Sequence, residues 1–459
     1  MSKSRLAAGA GALIVGAAGI FAAYLAPDPA PGAAEPILVE GTARQVSLGC
    51  PPDFEKTMGE MTAGIGGEDS PTLLRTRTIV LGGGEAALQG SDLGRGELRT
   101  AFEEGAFPGE LTVAPGESPV LAAATTQRYQ EFGELAGLAM TPCTSPASSL
   151  YLVGGSTSAS SSAQLVLTNV TGSPAVVDVT VHTSVGTASP SIVSTTAVDA
   201  HSSQTLLLET GVRDPRLALE ITSTGGQISA HLLAHEVDGI VGTGVESVTA
   251  GAEPDTSVVI PGADLSGEHG STVLRAANPS DESAVISISA VTAEGTEPVP
   301  GGQDITIAAG TVLDLSMDGL AGEWSALIVE ADRPVLAAAR VDVDGDYAWL
   351  PSAVPLERGA VSAPATDSEL TLYSPVPASA EVTFYSHTGT KLDSQTTVID
   401  PIGTVESPDD TSFIVVDADT AVYGGLLATR TIGSITGVAG LPLTGPPAAS
   451  SDLLVDVIN

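Results

Sequence analysis

The sequence repeats one short β-type phrase four times, at intervals of roughly a hundred residues. The residues that anchor the copies are 108, 107 and 87 positions apart. This spacing is too long for a solenoid unit and is typical of small domains that follow one another along a chain. We therefore expect an extended array of modules. The copies occupy residues 118–124, 227–233, 333–339 and 421–427, and their anchors are Val120, Ile228, Val335 and Val422.

A second pattern precedes the phrase in the last three copies. Each begins with a strand, a turn and another strand in which apolar residues alternate with others, as in Val177, Val179 and Val181. Such alternation predicts antiparallel strands with one buried and one solvated face. Closer to the phrase, residues 331–334 and 417–419 predict a second hairpin turn. Small residues in the phrase itself permit the close approach of a facing sheet.

These patterns predict an all-β fold, made of tandem immunoglobulin-like β-sandwich modules after an N-terminal transmembrane helix. The first module lacks a clean front half, and we expect it to be a degenerate sandwich. The predicted divisions are 1–25 for the cytoplasmic tip and membrane anchor, 26–36 for a Pro-rich stalk, 37–145 for the N-terminal β module, 146–254, 255–358 and 359–446 for three sandwiches, and 447–459 for a tail.

The uncharged run at residues 6–25 follows the basic residues Lys3 and Arg5. Twenty residues are enough to cross a bilayer, and basic residues on the N-terminal side place that end in the cytoplasm. We expect an uncleaved single-pass anchor in the cell membrane, with the bulk of the chain outside the cytoplasm. Secretion after cleavage is the alternative, because the run is rich in Ala and Gly.

The net charge restricts the class of partner. The chain has 17 Lys and Arg residues against 55 Asp and Glu residues, a net charge of −38. Such a surface repels nucleic acid and gains nothing from anionic lipid headgroups. The acidic residues are scattered along the chain, which indicates a role in solubility, with cation binding as the alternative.

Three motifs invite a chemical interpretation, and each has a better structural one. Residues 441–445 (LPLTG) match a sortase signal, but no apolar span or basic tail follows, so we expect a closing strand. His231 and His235 lie in a predicted strand, where positions i and i+4 are about 13 Å apart, too far for two ligands of one ion. Residues 342–346 (DVDGD) lack the spacing of a calcium loop and predict a hairpin turn, with a weak cation site as the alternative.

The sequence gives no support for catalysis. It contains no nucleophile elbow, phosphate loop or dinucleotide fingerprint. Trp324 and Trp349 are the only tryptophans, and both are expected in the core, not in a sugar-stacking platform. We predict a protein that is not an enzyme, with no catalytic, cofactor-binding or metal-ligating residues.

Cys50 and Cys143 are the only cysteines, and both fall in the first exported module. An even number in an oxidising compartment favours pairing over free thiols. We predict a structural disulfide between them, with two buried unpaired thiols as the alternative.

The stretch 150–155 (LYLVGG), the strand 165–169 (LVLTN), the Asn278-Pro279 pair and 333–335 (RPV) resemble a bacterial family. It comprises secreted, single-pass proteins of unknown function from high-GC Gram-positive (actinobacterial) bacteria, and the resemblance covers most of 37–445. The family has no assigned catalytic residues, so the resemblance transfers none. It implies a place in the cell envelope, because such genes tend to lie near envelope glycosyltransferases.

Taken with the anchor, these features predict a membrane-anchored, extracytoplasmic binding or scaffold protein of the cell envelope. The expected partner is an envelope protein or glycan and not nucleic acid, and the membrane is contacted through the N-terminal helix only. The alternatives are an accessory factor of an envelope glycosyltransferase and a polysaccharide-binding array. An aromatic content of 3% disfavours the array, because sugar platforms use aromatic rings.

Overall fold

A computed structural model describes residues 37–39, 45–57, 70–105, 108–188, 195–239, 241–263, 270–317, 320, 325–343, 345–363, 367–446 and 453–455. The regular secondary structure of these residues consists of strands and a 3-10 turn at Leu208–Thr210, with turns and loops between them and no α-helix. The predicted all-β class is confirmed. Within this part of the chain, no helix has the length and apolarity to cross a bilayer. The predicted anchor (6–25) and stalk (26–36) lie outside the described residues and stay predictions.

The chain forms two compact units. The smaller one contains an antiparallel pair formed by β1 (Ile37–Val39) and β34 (Leu453–Val455). The larger one, Arg44–Pro447, contains the other strands and is described as four segments, numbered along the chain. Each segment has two sheets. We call the sheet whose last strand contacts other segments the inner sheet, and the second sheet of the same segment the outer sheet.

The first segment has an outer sheet of order β2-β7-β4-β5 and an inner sheet of order β6-β3-β8-β9, all antiparallel. Its strands are β2 (Val46–Cys50), β3 (Leu73–Leu81), β4 (Ala86–Leu88), β5 (Ser91–Gly94), β6 (Leu98–Glu104), β7 (Gly109–Val113), β8 (Leu121–Gln130) and β9 (Gly137–Pro142).

The second segment repeats this plan. The outer order is β10-β16-β12-β13, with β14 also paired to β12, and the inner order is β15-β11-β17-β18. Its strands are β10 (Ser149–Val153), β11 (Ser161–Asn169), β12 (Ala175–Thr183), β13 (Gly186–Ala188), β14 (Thr196–Val198), β15 (Ser202–Leu207), β16 (Ala218–Thr224), β17 (Ser229–Asp238) and β18 (Val241–Thr249).

In the third segment one long strand joins the two sheets. The strands are β19 (Asp255–Pro261), β20 (Ser271–Ala277), β21 (Ala284–Thr292), β22 (Gly295–Pro298), β23 (Ile305–Ile307), β24 (Val312–Ser316), β25 (Ala326–Val343) and β26 (Asp346–Pro351). The first half of β25 pairs with β19 and β21 in the outer sheet. Its second half pairs with β20 and β26 in the inner sheet.

The fourth segment has the same long strand, here β32. The strands are β27 (Leu356–Ser362), β28 (Asp367–Tyr373), β29 (Ala378–Tyr385), β30 (Lys391–Ile399), β31 (Ile402–Glu406), β32 (Phe413–Ile432) and β33 (Ile435–Pro442). β32 pairs first with β27 and β29 in the outer sheet, and then with β28 and β33 in the inner sheet.

The predicted alternation is confirmed. Val177, Val179 and Val181 of β12 are buried, whereas Val176 and Asp178 at the alternate positions are exposed. These valines pack into a core shared by both sheets of their segment. The pattern therefore marks a strand with one face on the core and one in solvent.

The turn predicted at 331–334 is wrong, and so is the one at 417–419. The chain does not reverse there, because β25 and β32 run through both positions as continuous strands. Asp332, Arg333 and Pro334 are exposed because the strand crosses there from the outer to the inner sheet. Strands that change sheets bend at such corners, and polar residues fit a solvated bend as well as a turn.

The last strands of the inner sheets are neighbours in space. β9 contacts β18, β18 contacts β26, β26 contacts β33, and β33 contacts β9 again. The four inner sheets therefore close a ring around a common centre. The expected extended array is wrong, because the segments pack together within one compact unit.

The repeated phrase is explained by this ring. Ala337 and Ala339 of β25 pack in the core of their own segment, whereas Ala338 packs into the core of the second segment. In the same way, Ala122 and Ala124 face their own segment, and Ala123 faces residues of the fourth. The strands that carry the phrase are buried on both faces along it, so small apolar residues follow one another without alternation.

Candidate functional site

A cleft of about 410 Å³ lies between the first and second segments. One wall is the β4–β5 turn, at Gln89 and Gly90, together with the chain at 108–110. The other wall is the end of β11 and the start of β15. This volume is in the range of pockets that hold a small ligand or one or two sugar rings.

The walls of the cleft combine apolar surface with several polar groups. The hydroxyl groups of Thr168 and Ser203 lie 3.0 Å apart and share a hydrogen bond. Ser202 adds another hydroxyl, and the Gln89 side-chain amide donates to the carbonyl of Pro108. Hydroxyl and amide groups both donate and accept, which suits an uncharged polyhydroxylated ligand.

Glu110 and His201 add two ionisable groups. The Nδ1 atom of His201 lies 3.5 Å from Oε2 of Glu110. That carboxylate oxygen is buried and has no hydrogen-bond partner in the part of the chain that the structure describes. His201 adopts a left-handed φ of 52°, which is uncommon for a non-glycine residue and occurs often at binding sites.

A disulfide lies behind the first wall. Cys50 and Cys143 are bonded, with Cα atoms 4.3 Å apart, which confirms the predicted bridge. Cys50 is paired across β2 and β7 with Gly109, which lines the cleft. The bridge therefore ties this wall to the chain that leaves β9.

Asn169 also borders the cleft, but its side chain is used by the fold. Its Nδ2 donates to the carbonyls of Ser173 and Val198, and its Oδ1 accepts from the N–H of Thr171. Asn278 makes the same set of bonds in the third segment. Each Asn holds the loop that leads from an inner to an outer sheet, which explains its recurrence in the repeats.

His231 and His235 lie on β17 and have separate partners. Nε2 of His231 is 2.8 Å from the carbonyl of Pro142, and Nε2 of His235 is 3.1 Å from Oε1 of Glu134. Burial lowers the pKa of His231 to about 4, so the ring is neutral and donates to the carbonyl. Both side chains join the second segment to the first.

The sequence did not indicate the side chain at the centre of the ring. Asp346, predicted as part of a hairpin turn, begins β26 and is buried. Its carboxyl group accepts from the backbone N–H of Leu138 at 2.7 Å, of Val245 at 3.1 Å and of Val438 at 3.1 Å. One side chain thus connects the last strands of all four inner sheets.

A sequence signal for this role exists in the neighbouring residues. Each donor residue directly follows a glycine, which is Gly137, Gly244 or Gly437. In the remaining strand, β26, Asp346 stands at the position that glycine holds in the other three. A Cβ atom at Gly137 would lie 2.5 Å from Oδ1 of Asp346, so the approach requires glycine.

Burial raises the pKa of Asp346 to about 8, although the backbone N–H donors oppose the rise. Glu246 of β18 is also buried, and its Oε1 accepts from the N–H of Ser247 at 2.7 Å. Burial raises the pKa of Glu246 well above its ordinary value, and the charge of Asp346 adds to this effect. The ring therefore encloses two carboxyl groups that favour their neutral forms.

The other motifs are structural where they are described. Trp349 is buried with Arg275 stacked 4.6 Å from its ring, whereas Trp324 lies outside the described residues. Leu441 and Pro442 end β33, the predicted closing strand. Among the described residues, no group of three or more His, Cys, Asp and Glu side chains is placed to hold a metal ion.

The fold defines a β-rich protein whose sheets form a closed ring. Residues 101–447 match the model of a family of unknown function, DUF5719. The chain belongs to this family. A comparison with curated proteins gives no match.

Three solved structures show weak similarity. An α-L-rhamnosidase of Streptomyces avermitilis, in complex with L-rhamnose, is 8% identical, with 88% of this chain covered, 55% of that chain and a TM-score of 0.13. The BSP domain of a biofilm-associated protein is 9% identical (91% and 100% covered, TM-score 0.12). The RrgB pilus protein of Streptococcus pneumoniae is 9% identical (88% and 94% covered, TM-score 0.11). The chain spans about half the length of the rhamnosidase.

Proposed function

We propose that the protein is a binding or scaffold protein of the actinobacterial cell envelope, held outside the cytoplasm by its N-terminal helix and without catalytic activity. The disulfide supports an oxidising, extracytoplasmic location, because such bonds are rare in the cytosol. We further propose that the two-sheet segments are sandwiches of the immunoglobulin-like class.

The observation that carries the proposal is the cleft between the first two segments, with the polar groups that line it. Its hydroxyl and amide groups suit the hydroxyl groups of an uncharged glycan. Glu110 would accept hydrogen bonds from sugar hydroxyls, and its negative charge disfavours an anionic ligand. A short stretch of envelope polysaccharide is the ligand class that this chemistry fits best.

The test uses the full-length anchored protein in detergent and an array of cell-envelope glycans. Ser203→Trp places an indole in the cleft and is expected to weaken glycan binding at least about tenfold, the scale of one lost binding contact of 1.4 kcal/mol. Thr396→Trp, on the exposed strand β30, is the matched control and should bind as the wild type does. Absence of glycan binding by the wild type, or equal binding by Ser203→Trp, would contradict the proposal.

Location is tested separately on intact cells. Protease added outside should degrade the protein if the bulk of the chain is extracytoplasmic. Full protection in intact cells, together with degradation after lysis, would place the protein inside and overturn this part of the proposal.

A further inference from the structure

Three arginines converge where the first segment packs against the fourth. Arg75 and Arg77 are two positions apart on β3, so they lie on the same face of the inner sheet. Arg430 of β32 lies close enough for its charge to act on Arg77. Burial lowers the pKa of Arg77 to about 10, and the charges of Arg75 and Arg430 lower it further. This concentration of positive charge is unusual in a chain with a net charge of −38.

Two nitrogen atoms of the Arg77 guanidinium group are buried without a hydrogen-bond partner among the described residues. The residue is 6% exposed, and its Nε and Nη1 atoms have no hydrogen-bond partner within the described chain. Other buried arginines are paired: Nε of Arg275 lies 2.8 Å from Asp314, and Arg99 donates to the carbonyls of Gly82 and Gly84. Burial of an uncompensated charge is costly, so proteins normally provide an anion for it.

The partly exposed ring of Phe102 packs against the guanidinium groups of Arg75 and Arg77. Phe102 is 40% exposed, and its centroid lies 5.8 Å from the guanidinium carbon of Arg75 and 5.5 Å from that of Arg77. His387 of the fourth segment meets the same ring edge-on, with centroids 6.2 Å apart. The exposed ring marks the side from which a ligand reaches the two arginines.

From these contacts we propose that Arg75 and Arg77 bind an oxyanion, the phosphate or carboxylate group of a ligand, between the first and fourth segments. Guanidinium groups bind both kinds of oxyanion through paired N–H donors. Glu104 lies opposite Arg75 across β3 and β6 and is exposed, so it competes weakly for that arginine. The site is distinct from the cleft and does not depend on the function proposed for it.

The test measures the melting temperature of the full chain in sodium chloride, sodium phosphate and sodium acetate at equal ionic strength. A ligand that binds only the folded state raises the melting temperature. The phosphate or acetate sample is expected to melt about 2 °C or more above the chloride sample. A rise of this size corresponds to a modest gain in the free energy of unfolding for a protein as large as this one. The two arms separate a phosphate ligand from a carboxylate ligand.

Two variants localise the effect. Arg77→Met removes the buried charge and should abolish the anion-specific rise, and Arg75→Gln, at a half-buried position, should reduce it. Arg95→Met is the control, because Arg95 is exposed and pairs with Glu85, and it should keep the full rise. If Arg77→Met does not fold, Arg75→Gln alone decides the question. An equal melting temperature of the wild type in all three salts, or an undiminished rise in both site variants, would overturn the proposal.

Discussion

The backbone N–H of Leu138 donates a 2.7 Å hydrogen bond to Oδ2 of Asp346, although the two residues are 208 positions apart. Leu138 belongs to the first segment and Asp346 to the third. The same carboxyl group accepts from Val245 and Val438, in the second and fourth segments. The last strand of each inner sheet has no strand partner on its free side, so the N–H groups there need another acceptor, and Asp346 supplies it for these three residues.

Asp346→Ala is expected to destabilise the protein by about 3–5 kcal/mol, because three buried N–H groups lose their acceptor. The free energy of unfolding from urea denaturation measures the change. Asp281→Ala, at an exposed position of the third segment, should change stability by about 0.5 kcal/mol or less. A loss under about 1 kcal/mol for Asp346→Ala would show that water or rearrangement replaces the carboxyl group.

The two enclosed carboxyl groups predict that stability falls as the pH rises. The pKa of Asp346 is raised to about 8 from 3.8, so its contribution is complete below about pH 4 and is lost as the pH rises through about 8. Glu246 acts in the same direction. Urea denaturation at pH 6.5 and at pH 8 should show lower stability at pH 8, with a flatter dependence for Asp346→Asn and for Glu246→Gln.

The pH range of this measurement matters, because the titration of His231 changes the stability in the opposite direction. Its pKa is lowered from 6.5 to about 4, so its contribution is present above pH 6.5 and is lost as the pH falls through about 4. Above pH 6.5 the carboxyl groups therefore dominate. A wild-type stability that is constant or rising between pH 6.5 and pH 8 would contradict the assignment.

Removal of the disulfide by Cys50→Ser with Cys143→Ser is expected to cost about 2–5 kcal/mol, since the bridge closes a long loop in the unfolded chain. The sequence separation of the two cysteines is 93 residues. Thermal unfolding of the double variant measures the loss. Thiol titration of the unreduced, denatured wild type provides the check, and two reactive thiols per chain would contradict the bridge.

Arg340 and Glu236 are expected to be coupled across the interface between the second and third segments. Nη1 and Nη2 of Arg340 donate to the two carboxylate oxygens of Glu236 at 2.7 Å and 3.1 Å, and the pair is mostly shielded from solvent. A double-mutant cycle with Arg340→Met and Glu236→Gln should give a coupling of about 1–2 kcal/mol. The exposed pair Arg95 and Glu85 is the control, with about 0.5 kcal/mol or less. Equal couplings would mean that Arg340 contributes through its other contacts, the pairing with Asp342 and the packing on the ring of Tyr347.

The strands were readable from the sequence wherever one face is buried within a single segment. Val177, Val179 and Val181 show the period of two because the other face of β12 is in solvent. Alanines such as Ala338 also predicted a strand against which another sheet packs closely. They could not show that the facing sheet belongs to another segment, because a small apolar residue packs equally well against its own segment and against a neighbouring one.

Asp346 and Arg77 were missed for a different reason. The partners of Asp346 are backbone N–H groups, which every residue except proline carries, so no side-chain pattern marks them. Arg77 follows Arg75 with the spacing of an exposed strand face, and only the fourth segment turns that face into a buried one. The cleft is likewise invisible in the sequence, since its walls come from distant stretches of the chain.

The contact of β33 with β9 has a consequence for the newly made chain. Val438 is synthesised 300 residues after Leu138, which at ~5–20 residues per second corresponds to about 15–60 s. Throughout this time the ribosome has delivered β9 but not the strand that covers it. A chain that terminates early, anywhere before the last hairpin, keeps an apolar strand edge uncovered and is a template for aggregation.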